Sequence, residues 1–191
     1  MDKLVKKKLN EILDKDCNNG KGKLTQKQLS EFEKRYDVSL PEDYKDFLIS
    51  FYSCYVNDDY FFPMIERSKL TPDDNMETID YFYNLEFETK AKEYVNIYGI
   101  NTLPIGESAG DYICIGVQPN NKGKIYLLYH EDCEREDGLF LIANSFKEFI
   151  LSFRYVDSND DNDDIDNIQI SLSPELDMLI KKHTEELKNE K

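Results

Sequence analysis

The first residues that invite a chemical reading are Gly106-Glu107-Ser108-Ala109-Gly110, a match to the G-x-S-x-G pattern of serine hydrolases. In that pattern the serine stands on a sharp strand-to-helix turn, so that its hydroxyl is exposed to an activating histidine. Only His130 and His183 could act as that base, and no spacing ties either one to Ser108. Residues 112–117 alternate as a strand does, which predicts a hairpin loop in place of the elbow. His130-Glu131-Asp132-Cys133 contains metal-ligating types, but a zinc site needs a partner pair that the sequence does not supply. His130 reads as a strand end, Cys133 as part of a polar loop, and His183 as a packed histidine on an apolar helix face. Two stretches imitate calcium loops. Residues 14–28 place Cys17 and Lys21 at ligand positions and Gln28 at the bidentate acid. The run from Asp157 has Asn162 where glycine belongs and Ile168 where glutamate belongs. There is no Walker loop and no dinucleotide fingerprint. The residues therefore predict no enzyme, no metal and no cofactor.

Composition points the same way. The chain has 191 residues, 40% hydrophobic and 33% charged, which predicts one domain or one domain with a short appendage. Thirteen Tyr and eleven Phe supply enough apolar area for a core without disulfides or metal. Cys17, Cys54, Cys114 and Cys133 show no CxxC pairing and read as reduced thiols. Lys3 and Lys6 to Lys8 are not followed by the apolar stretch of a signal peptide, and no run reaches the roughly 20 apolar residues of a membrane span. A cytoplasmic protein is the expectation. The net charge of −15 repels phosphate backbones and anionic lipid, so neither nucleic acid nor a membrane is the expected partner. A basic protein is.

The elements that would position these groups follow from periodicity. Residues 1–23 form a lysine-rich helix and turn, with Leu4, Val5, Leu9, Ile12 and Leu13 as a partial stripe and Asn18 to Gly22 as turn composition. Thr25 with Gln28, and Ser39 with Glu42, have the pattern of capping boxes. Leu29, Phe32 and Tyr36 follow the first. Tyr44, Phe47, Leu48, Phe51, Tyr52 and Tyr55 follow the second and predict one long amphipathic helix. Residues 60–65 read as a strand kept to an edge or bulge by Pro63. Thr71-Pro72 has the composition of a helix start, and residues 84–98 read as helical. From Thr102 the period becomes two. Ile113, Ile115 and Val117 mark one strand, residues 124–130 the strand returning after the Asn120 to Gly123 turn, and residues 139–143 a third. Ser145 with Glu148 caps a helix bearing Phe146, Phe149, Ile150 and Phe153. Residues 157–170, with six aspartates in the first ten, read as a solvated linker, and residues 171–191 as a last helix. The prediction is an α+β fold with an antiparallel-rich sheet packed against N-terminal and C-terminal helices.

These segments resemble the SUKH superfamily, which includes bacterial immunity proteins and a fungal regulator of cell-wall synthesis. The resemblance runs through Leu29-Ser30-Glu31-Phe32-Glu33, the Leu40-Pro41-Glu42-Asp43-Tyr44-Lys45-Asp46-Phe47-Leu48 stretch, Leu103-Pro104-Ile105-Gly106 and Gly110-Asp111-Tyr112-Ile113-Cys114-Ile115. It continues at Gly123-Lys124-Ile125-Tyr126, His130-Glu131 and Ala143-Asn144-Ser145-Phe146-Lys147-Glu148-Phe149. The order and spacing of these motifs define a SUKH-like domain over residues 24–156. One departure follows the Leu-Pro helix, where the family often has an Asn-Gly-Gly-like turn and this chain reads Tyr52-Ser53-Cys54-Tyr55-Val56-Asn57. The resemblance implies a binding protein that neutralises a toxin, often a nuclease, of a polymorphic or contact-dependent system. The alternative is a regulatory or scaffold module of the same fold.

A basic toxin domain suits the acidic balance, because an enzyme that grips phosphate presents lysine and arginine. The candidate partner-binding residues are the acidic clusters Asp58-Asp59, Glu131-Asp132 and Glu134-Glu136-Asp137, all beside predicted strand ends where loops meet partners without disturbing a core. Exposed aromatics such as Tyr55 and Tyr60 are the alternative binding surface.

Overall fold

The computed structural model describes residues 1–14, 24–51, 54–84, 86–131 and 138–156. Met1–Asp157 forms one compact unit. The acidic linker, the last helix with His183, both calcium-like loops over most of their length, and Cys17 and Cys133 lie outside the described residues.

Among those residues, three helices come first: α1 (Lys3–Ile12), α2 (Gln26–Tyr36) and α3 (Glu42–Ser50). The Asp2 side chain accepts from the Leu4 amide to cap α1. Thr25 and Gln28 close a complete capping box on α2, and Asp37 ends that helix in the left-handed region at φ 52°. The second box does not form. Pro41 takes the N-cap position of α3, so Glu42 is the first helical residue and cannot reach back; it pairs with Lys45 Nζ at 2.6 Å instead. Ser39 Oγ receives a hydrogen bond from Lys122 Nζ.

The long helix predicted through Tyr55 also stops early. Phe51 is extended, and the buried Asn84 side chain donates to the carbonyls of Leu48 and Phe51, satisfying the helix end. Cys54–Tyr55 is a strand, β1. Next come β2 (Tyr60–Pro63), β3 (Met76–Glu77) and β4 (Tyr81–Phe82). Thr71-Pro72 opens a turn and no helix: the Asn75 amide donates to the Pro72 carbonyl, and Asn75 sits at φ 61°. The helix α4 (Phe87–Tyr98) is followed by β5 (Thr102–Ser108), β6 (Asp111–Gly116), β7 (Ile125–Leu128), β8 (Leu139–Ala143), α5 (Phe146–Ser152) and β9 (Arg154–Tyr155).

All strand pairs are antiparallel. One sheet has the order β1-β4-β5-β6-β7-β8, and a smaller one has the order β3-β2-β9. Pro63 pairs with Met76 of β3 but lies past the end of β9, so on that side it occupies an edge. The fold is thus the α+β arrangement that the periodicity predicts.

The large sheet has two unlike faces, because side chains alternate along each strand. One cross-strand row reads Phe82, Gly106, Ile113, Leu127, Phe140. This inner face meets α3 and α5, and Phe47, Phe51, Ile113, Ile115, Phe146 and Phe149 are all buried there, as predicted. Phe146 sits among the rings of Tyr44, Phe47 and Phe82. The helix α1 belongs to the same core through Val5, Leu9 and Ile12. A Cβ at Gly106 would lie 2.6 Å from Ile79 Cδ1 and 2.7 Å from the Tyr81 carbonyl oxygen, so this point of closest approach admits only glycine.

Candidate functional site

The Ser108 motif is resolved by the hairpin that holds it. Ser108 ends β5 and pairs with Asp111 at the start of β6. Ala109 (φ 47°) and Gly110 (φ 92°) make the two-residue turn, the pairing of positive φ values that suits strand twist. The Asp80 carboxylate accepts from the Ala109 amide at 2.9 Å and supports this turn. A strand follows the serine where an elbow requires a helix, as the alternation of residues 112–117 predicts.

This hairpin marks one end of the large sheet, and the register shows what else ends there. The Val56 amide donates to the Asp80 carbonyl, so β1 and β4 terminate beside the turn. Asn57 follows, with its side chain accepting from the Asp59 amide, and Asp58 is exposed. On the other flank β7 runs out through Tyr129 to His130 and Glu131. Asp111 Oδ1 accepts from the His130 amide at 2.9 Å and lies 2.6 Å from His130 Nδ1. Glu131 is 3.7 Å from Nε2 of the same ring, with its side chain 77% exposed. Nearby, the Tyr129 hydroxyl donates to Glu77, whose carboxyl is raised above its ordinary pKa first by burial and further by the charges of Asp111 and Asp74.

The fold therefore brings Asp58, Asp59 and Glu131, far apart in sequence, to a common end of the sheet. Asp80 and Asp111 join them there and were not among the predicted residues. Asp132, Glu134, Glu136 and Asp137 lie outside the described residues. No group of His, Cys, Asp and Glu among the described residues is placed to hold a metal ion. No helix among them is long and apolar enough to cross a membrane.

The outer face of the large sheet carries a second arrangement. Its cross-strand row reads Tyr55, Tyr81, Glu107, Tyr112, Leu128, Leu139, one residue from each strand. Tyr81 and Tyr83 both donate hydroxyl hydrogen bonds to Glu107 Oε2, at 3.1 and 2.7 Å. Burial and then this carboxylate push the Tyr81 phenol up to about 12 and the Tyr83 phenol higher still. Lys90 of α4 lies 3.8 Å from the same oxygen and 5.5 Å from the Tyr83 ring centre.

The helix α4 crosses between the two environments. Phe87 meets Phe32 and Tyr44 in the main core, whereas Tyr94 and Tyr98 meet Tyr112 on the outer face. Tyr94 and Thr102 share a buried hydroxyl contact of 2.7 Å. Beneath them Cys114 is fully buried, and desolvation pushes its thiol up to about 12. Of the alternative aromatics, Tyr55 is 58% exposed and its ring meets that of Tyr81 in a tilted contact, while Tyr60 is half-buried between Lys8 and Tyr155.

An α+β domain of this topology, with one sheet face sealed by helices and the other lined by tyrosines, agrees with the motif order in the sequence. The chain belongs to the SMI1 / KNR4 family (SUKH-1), which it matches over residues 23–152. It is also 30% identical over 168 residues to the SPbeta prophage-derived uncharacterized protein YokK of Bacillus subtilis (strain 168). That similarity covers 80% of this chain and 86% of the Bacillus protein.

Proposed function

We propose that this chain is an immunity protein of the cytoplasm, which binds a basic toxin domain one to one and blocks it without catalysis. The observation that carries this reading is the convergence of Asp58, Asp59, Asp80, Asp111 and Glu131 at one end of the sheet. Loops and a turn present the outermost of these charges, so a partner can approach them while the core stays closed. A basic surface is steered toward such an edge from a distance, with association that slows as salt screens the field. The relative in a Bacillus prophage supports the bacterial branch of the family over the fungal regulator.

The partner to test is the toxin-like domain encoded in the neighbouring reading frame. Replacing Asp58 and Glu131 by lysine should slow association about tenfold or more at low salt and flatten its salt dependence. Thermal stability should move by less than about 0.5 kcal/mol, as for other exposed surface changes. Unchanged rates and salt dependence would remove the sheet end from the interface.

A further inference from the structure

Glu107 is placed as no other carboxylate in the described residues is. Its two cross-strand partners are Tyr81 and Tyr112, and Tyr83, just past the end of β4, reaches it as well. Oε2 takes both phenol hydrogen bonds and faces Lys90, whereas Oε1 receives no hydrogen bond from a described residue. The side chain remains 28% exposed, and this second oxygen is not among the buried ones that lack a partner. The carboxylate is thus held rigidly by one oxygen and offered by the other.

We propose that Glu107 and its flanking tyrosines form a receptor for an arginine side chain projecting from a basic protein partner. This rests on the reading of the chain as a partner-binding protein and adds where the partner's charge is read. A guanidinium donates to Oε1 while its plane stacks flat on a tyrosine ring, a planar contact that a compact ammonium does not make. Lys90 already supplies an ammonium on the opposite oxygen and over the Tyr83 ring, which shows that the pocket wall accepts a cation against an aromatic face.

Charge favours the same occupant. Glu86 and Glu93 act on the neighbouring phenols of Tyr81 and Tyr112, two further negative charges near the single ammonium of Lys90. Beside the receptor, Tyr55 against Tyr81 is 58% exposed and Tyr98 against Tyr112 is 42% exposed, aromatic surface of the type enriched at protein interfaces.

The probe is a short arginine-rich peptide, with a lysine-rich peptide of equal length beside it, titrated at low salt and followed by the ring signals of Tyr55, Tyr81 and Tyr112. The arginine peptide should bind more tightly and move those signals. Glu107→Gln, which keeps the shape of the side chain, should weaken it about tenfold, and Tyr55→Ala a few-fold. Asp58→Asn removes the same charge from the sheet end and, in a parallel titration of both variants at about 0.15 M salt, should change the affinity by less than about twofold.

Equal losses for Glu107→Gln and Asp58→Asn, or equal binding of the two peptides with unmoved tyrosine signals, would overturn the receptor. So would concentration-dependent self-association that shields Tyr55, which would make a second copy the occupant. A Glu107→Gln protein that melts earlier but binds the arginine peptide as before would leave Glu107 a purely structural residue. Failure to block a toxin, with the peptide results intact, would remove the immunity reading and leave the receptor standing.

Discussion

The two faces of the large sheet are built from the same strands and do opposite work. On the inner face the row Phe82, Gly106, Ile113, Leu127, Phe140 is closed over by α3 and α5, and almost every side chain is aliphatic or phenylalanine. On the outer face one residue along, the row holds three tyrosines and a glutamate, which α4 meets through Lys90, Tyr94 and Tyr98. The difference lies in the hydroxyl. A phenylalanine ring is satisfied by packing alone, whereas a tyrosine wants its apolar body covered and its oxygen paired. The chain places Tyr81 and Tyr83 where their hydroxyls reach Glu107 and keeps phenylalanines in the closed core, with Tyr44 the exception whose buried hydroxyl has no partner among the described residues.

The largest effect that separates the faces is on the inner one. Phe146→Ala removes a ring packed against Tyr44, Phe47 and Phe82, and should cost about 3–5 kcal/mol in a urea titration. A loss below about 1 kcal/mol would mean that the inner face is not the seat of stability. On the outer face, by contrast, Tyr55→Ala belongs to the class of exposed changes that shift stability by under about 0.5 kcal/mol.

A smaller and pH-dependent effect tests the sheet end. Glu77 is raised above its ordinary pKa by burial, so its contribution to stability is present while it is protonated. That contribution is full below the ordinary carboxylate range and drains as pH rises through the raised value. Glu77→Gln stays neutral throughout, so its melting temperature relative to the wild type should rise from acid to neutral pH. A difference that stays flat across that window would show that Glu77 carries no burial penalty.

Much of this architecture was legible because it is local. The Thr25-Gln28 box and the Ser145 cap sit within a few residues of the groups they satisfy, and the alternation from Thr102 names the inner-face isoleucines directly. The misreadings share a cause as well. Helical spacing continues through Tyr55, but the chain leaves the helix at Phe51 because Asn84, far along the sequence, satisfies its terminal carbonyls. Thr71-Pro72 suits a turn as well as a helix start, and only the pairing of Met76–Glu77 with β2 decides between them.

For the site, the acidic clusters were visible as composition, but their meeting at one end depends on which strands pair. Glu107 was hidden altogether. It lay inside the serine motif, and its role appears only once the two-residue strand β4 sets Tyr81 beside it. The alternation of Tyr81 and Tyr83 was the available signal, too short to be read as a strand by itself.

The inhibition we propose is stoichiometric, and a titration of toxin activity tests it most directly. The toxin-like domain encoded by the neighbouring reading frame is assayed at a concentration well above the dissociation constant while this chain is added. We predict a linear fall that reaches zero at one equivalent, at a rate of association that drops as salt is raised. Residual activity at excess, complete inhibition well below one equivalent, or a neighbouring frame without any toxin domain would contradict the account.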